Sequence, residues 1–150
     1  PVTEFLVAKA KGRAANDPQL KWQKVTLKPG CRLADLAPIA GPDTLPVEDR
    51  ELYVKFVVSV PKFFGVQGFR LGRNQSMQLV GDNVAFPENA KWESPSLWWR
   101  GACSTRSVFR PDGKNKGRFT HVIRLRPEPE GPYTFGYGYY AGAHFGYSAD

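Results

Sequence analysis

Two neighbouring stretches of this sequence hold most of the residue types that can bind or react. The first runs from Ser94 to Arg126. It contains Arg100, Arg106, Arg110, Lys114, Lys116, Arg118, Arg124 and Arg126, and Asp112 is its one acid. That segment carries net +7, the whole net charge of the chain, because the remaining residues hold 13 cations against 13 acids. Positive charge concentrated in this way is the electrostatic footprint of a polyanion partner. A solvated basic loop is the plainer reading of the same cluster.

The second stretch is Tyr133 to Ala141, YTFGYGYYA. Extended, it puts Tyr133, Phe135, Tyr137 and Tyr139 on one face and Thr134, Gly136, Gly138 and Tyr140 on the other. Exposed aromatic rings stack on the bases of single strands, each worth about 1–3 kcal/mol, while a basic groove follows the phosphates. Sugar rings stack on Tyr and Trp too, so an acidic polysaccharide fits the same surface. The competing structural reading puts the stripe on the core side of a sheet, with the glycines permitting close packing.

The expected function is therefore a non-catalytic binding module for a polyanionic polymer, with single-stranded nucleic acid ahead of acidic polysaccharide. Arg106, Arg110, Lys114, Lys116, Arg118, Arg124 and Arg126 would supply charge, and Trp99, Tyr133, Tyr137 and Tyr139 would supply stacking. Two other classes stand beside it. A uronate-polymer lyase needs a cation at the sugar carboxylate and a Tyr or His to move the proton, and Arg106, Arg124, Tyr137, Tyr139 and His144 have the right chemistry. A self-assembling coat-type protein would use exposed aromatics as an interface between copies of itself, so a homo-oligomer is one expectation.

Other chemistries find little support. Cys31, Cys103, His121 and His144 are not spaced as paired metal ligands, so neither metal nor cofactor is expected. His121 shares a face with Phe119, Ile123 and Leu125 and reads as a core or boundary histidine. Gly65-Val66-Gln67-Gly68 lacks the Lys and the following helix of a phosphate-cradling loop. The acids between Asp43 and Glu51 sit in a Pro- and Gly-rich loop, which is no pattern for a glycosidase pair.

The elements that must position these residues are short strands. The chain has 150 residues, 41% of them hydrophobic, with 15 Gly and 13 Pro scattered as turn punctuation. That predicts one domain, 1–150, with material for a real core. Leu52 to Val60 alternates completely, with Leu52, Val54, Phe56, Val58 and Val60 on one face, and is expected to be the central strand. Strands are also predicted in 3–11, from Trp22 to Leu27, and over 76–80. Phe63 to Phe69 is expected to bulge or turn at its glycines. Cys31 to Ala37 reads as one or two helical turns stopped by Pro38. Ser104–Arg110 and Arg118–Arg126 flank Pro111-Asp112-Gly113 and predict a basic antiparallel hairpin. The total is about eight short strands, which predicts an all-β, single-domain antiparallel β-sandwich or jelly roll. No apolar run suits a membrane span and no signal peptide is evident, so a cytoplasmic protein is expected.

Overall fold

The computed structural model describes residues 4–27, 33–59, 64–72, 75–80, 86–87, 98–100, 103–108, 118–129 and 131–140. The protein is all-β, as the sequence predicts, with eleven strands in two antiparallel sheets among the described residues. They are β1 (Glu4–Lys9), β2 (Gln23–Thr26), β3 (Ala34–Asp35), β4 (Leu52–Ser59), β5 (Phe64–Leu71), β6 (Ser76–Val80), β7 (Phe86–Pro87), β8 (Trp98–Arg100), β9 (Cys103–Val108), β10 (Arg118–Arg126) and β11 (Thr134–Tyr140). The six-stranded sheet has the order β2-β1-β4-β10-β6-β8. The five-stranded sheet has the order β3-β11-β5-β9-β7.

From β4 to β11 the chain changes sheet at every step. The pairs β4·β10, β5·β9 and β6·β8 nest inside one another. The chain thus folds like one long hairpin, with its tip between β6 and β8, wrapped so that successive segments fall in alternate sheets. The wrap is closed by two further pairings, β10 with β6 and β9 with β7.

Alternation decides which side chains fill the space between the sheets. On β4, Leu52, Val54, Phe56 and Val58 point inward and are buried. On β10, Phe119, His121, Ile123 and Leu125 do the same. Phe69 and Leu71 of β5 and Phe135 of β11 join the same core from the other sheet. Phe5 and Phe135 meet edge to face with ring centroids 5.4 Å apart, and Phe56 lies 4.7 Å from Tyr137. Both contacts cross from one sheet to the other, in geometries that aromatic rings prefer.

Three local expectations are corrected. Segments β9 and β10 are not a hairpin: β9 pairs with β5 and β7, and β10 with β4 and β6. The turn signal in 111–113 lies outside the described residues. Pro38 begins a helix rather than ending one. The single helical turn α1 (Ala37–Ala40) holds it in its first turn, where the missing N–H costs nothing. The Asp35 carboxylate accepts the Ala37 N–H at 3.1 Å, and Gly41, at φ 94°, ends the turn. Finally, β5 runs unbroken through Gly65 and Gly68, because register with β9 and β11 holds it straight.

Two buried polar groups lock the connections. Gln75 stands in for a strand: its Oε1 accepts from Gly72 N at 2.7 Å and Thr134 N at 2.9 Å, and its Nε2 donates to Thr134 O at 2.9 Å. A Cβ at position 72 would overlap Gln75 Oε1 and the Pro132 carbonyl, so only glycine fits there. A 3-10 turn, Val47–Arg50, delivers Arg50 to the start of β4, 3% exposed, with its guanidinium carbon 5.8 Å from the Tyr133 ring centroid.

Candidate nucleic-acid interface

The aromatic stripe faces inward. Tyr133 is 1% exposed and Phe135 is fully buried. Tyr137 is half-buried against the core, between Phe56 and Phe69. Tyr139 is described by its backbone, which pairs with Gln67. The five-stranded sheet must cover one face, and the stripe is the most apolar surface β11 offers, so burial wins. Tyr133 also spends its hydroxyl on the Leu125 carbonyl, at 3.2 Å, and burial pushes its phenol far above the usual range. Tyr133 therefore offers no ring to a base or a sugar, which corrects its assignment as a stacking residue. The face of β11 turned away from the core is the glycine face.

Trp99 is described by its backbone, which pairs with Met77. Arg106 is opposite Val66 in the five-stranded sheet. Arg110, Lys114, Lys116, Cys31 and His144 lie outside the described residues. Arg118, Arg124 and Arg126 stand on the outer face of the six-stranded sheet, alternating with the buried side of β10. The sequence cluster is thus divided between two sheets, and Arg124 and Tyr137 occupy opposite sides of β10. A lyase site combining that cation with that phenol is not assembled.

Charge on the outer face is organised by a residue that sequence reasoning missed. Glu51, whose side chain is 7% exposed, holds Arg124 and Arg126 together. Arg124 Nε donates to Oε1 at 2.7 Å and its Nη2 lies 2.6 Å from the same oxygen. Arg126 Nε donates to Oε2 at 3.2 Å. The two arginine side chains remain 31% and 43% exposed. A carboxylate just before a strand and two arginines at i and i+2 on another share a face only once the β4·β10 register is set, with Leu125 opposite Leu52.

A second cationic group lies over the same face. The connection from β1 to β2 folds back across the sheet as a strap. Leu20 is buried with Ala8, Ala10 and Tyr53, and Ala15 and Trp22 pack around them with Val80 and Val122. The Tyr53 hydroxyl donates to the Arg13 carbonyl at 2.6 Å, which fastens the strap to β4, and burial raises the Tyr53 phenol pKa. Lys55 Nζ sits 4.2 Å from the Trp22 ring centroid, a cation–π contact. Lys11, Arg13, Lys21 and Lys24 are exposed on or beside this strap.

His121 is fully buried among Phe56, Phe69 and Tyr137 and stacks on Phe56 at 5.2 Å. Burial lowers its pKa to about 3, so it is neutral at ordinary pH. Among the described residues no group of three His, Cys, Asp or Glu is placed to hold a metal ion, and no helix is long and apolar enough to cross a membrane. Comparison with known proteins finds no matching family model, no matching curated protein and no matching solved structure.

Proposed function

We propose that this chain is a coat-type jelly-roll protein that packs against copies of itself around a single-stranded nucleic acid. The observation that carries the reading is the strand order. Nested pairs β4·β10, β5·β9 and β6·β8, with successive strands in alternate sheets, support a jelly-roll reading, in which a long hairpin is wrapped into two sheets. That architecture serves viral shells, lectins and cupins. Fold alone does not select among them, so the contents of the fold must. Where the two sheets face each other the space is filled by Phe5, Phe56, Phe69, Phe135, Tyr137 and His121, which leaves their outer faces and rims to carry the function. The net charge of +7 favours a polyanion on those surfaces. With Tyr133 and Phe135 in the core, charge rather than base stacking supplies the affinity.

The test is analytical ultracentrifugation with light scattering, at low and high salt, with and without single-stranded RNA. Concentration-dependent assembly, promoted by RNA at low salt and weakened by added salt, is the expected result. A protein that stays monomeric at every concentration, with RNA present or absent, refutes the proposal.

A further inference from the structure

The cations of the sequence cluster are not where the described positive surface ends. Outside residues 94–126 the chain is neutral, so a reading by segments finds no charge there. The fold redistributes it. The strap and β2 bring Lys11, Arg13, Lys21 and Lys24 over the outer face of the six-stranded sheet. The sheet itself contributes Lys55, Arg118, Arg124 and Arg126 to the same face, as the register across β1, β4 and β10 requires. Against these eight stand Glu4, Asp17, Glu51 and Glu128.

Four further described acids are grouped together in the sequence. Asp35 at the end of β3, and Asp43, Glu48 and Asp49 on the connection from β3 to β4, are all exposed, and residues 35–49 contain no Lys or Arg. Segregation of this kind, rather than net charge alone, directs a polyanion to one side of a molecule.

We infer that the outer face of the six-stranded sheet, together with its strap, is the surface that takes the phosphate backbone of single-stranded nucleic acid. The inference rests on the nucleic-acid part of the function proposed above. Its working cations differ from those the sequence singles out. Arg124 and Arg126 share the Glu51 carboxylate, which fixes their position and offsets part of their charge. Among the described residues no ion pair engages Lys11 or Lys21. Arg13 pairs only with Asp17, at 3.3 Å and in solvent, where a competing phosphate displaces the carboxylate at little cost. Phosphates reward Lys and Arg without reading sequence, so binding here is insensitive to base identity.

The strap supplies its own reporter. Trp22 is half-buried beside Lys55, and a strand laid along the strap changes the environment of that indole.

The experiment titrates a fluorescein-labelled oligouridylate by anisotropy over a range of salt. It uses the full chain, the triple variant Lys11→Gln, Arg13→Gln, Lys21→Gln, and an acid-side variant Asp43→Asn, Glu48→Gln, Asp49→Asn. All six positions are exposed, and matched circular dichroism and thermal midpoints establish that the variants are folded. Each phosphate contact on a single strand contributes about 0.7 to the slope of log K against log salt, so the strap variant should lose about 2 from that slope. The acid-side variant should keep it. Intrinsic fluorescence should be quenched on binding, and Trp22→Phe should remove that quenching. An unchanged slope in the strap variant overturns the inference while leaving the proposed function standing. So do equal and opposite shifts in the two triple variants, which would make whole-molecule charge the cause. A full chain that binds no oligouridylate at low salt overturns both.

Discussion

Strands β10 and β11 both alternate in sequence, yet they divide their residues in different ways. On β10 the buried side is Phe119, His121, Ile123 and Leu125, and the other side carries Arg118, Arg124 and Arg126. On β11 the inward side is Phe135 and Tyr137, and the other side is Thr134, Gly136 and Gly138. Both strands satisfy the same core, and Phe69 of β5 touches His121 of one and Tyr137 of the other. What differs is what remains for solvent. On β10 it is charge, organised by Glu51 and bordered by the strap. On β11 that side carries Thr134 and two glycines, of which Gly136 is buried. The lesson is that the described part of the most conspicuous aromatic pattern in the chain, Tyr133, Phe135 and Tyr137, packs into the core, and that ordered charge lies on the far side of the other sheet.

Mutations that separate inner from outer positions test this division. The largest effect is expected at the stripe. Phe135→Ala removes a fully buried ring that meets Phe5, Phe56 and Phe69, and should cost about 3–5 kcal/mol in chemical denaturation. A cost below 1 kcal/mol would mean that the stripe is not core.

Acid is the next lever. His121 has a folded pKa of about 3 against an ordinary 6.5, so below pH 6.5 the unfolded chain binds a proton that the folded chain refuses. Stability is therefore complete above pH 6.5 and declines by about 1.4 kcal/mol per pH unit as pH falls toward 3. His121→Phe should flatten that part of the urea-midpoint profile. An unaltered profile would assign the acid sensitivity to other groups.

On the outer face, Glu51→Ala leaves Arg124 and Arg126 facing each other without their shared carboxylate. A fully buried pair would lose about 3–5 kcal/mol on such a change. Because the guanidiniums are partly solvated, about 1–2 kcal/mol is expected here, smaller in high salt. A loss that salt does not alter would show that Glu51 acts by packing. The smallest effect belongs to Tyr53→Phe, which removes the bond to the Arg13 carbonyl and should cost about 1 kcal/mol. Faster hydrogen exchange confined to 11–21 would confirm that this bond fastens the strap.

Alternation along single strands was legible from the start. The inward sets of β4 and β10, the placement of His121 among apolar neighbours, and the all-β class all follow from a period of two and from β-branched and aromatic content. Which face of the 133–139 stripe meets solvent was not legible, because either side of a strand can be the buried one until a second sheet covers it. Nor was the separation of β9 from β10. Their turn signal is local, but pairing is won by the long-range registers with β5 and β4. Glu51 and Gln75 stayed hidden for a related reason. Their partners are 73 and 75 residues away for Glu51 and 59 for Gln75, and no spacing rule spans such distances. By itself the sequence determined the strands, the identity of most core residues and the size of the positive charge. The tertiary structure alone decided which faces meet, and so gathered cations from the strap and from β10 onto one surface. Strand pairing and sheet packing are set by contacts remote in sequence, whereas periodicity and composition report only what neighbours along the chain can do.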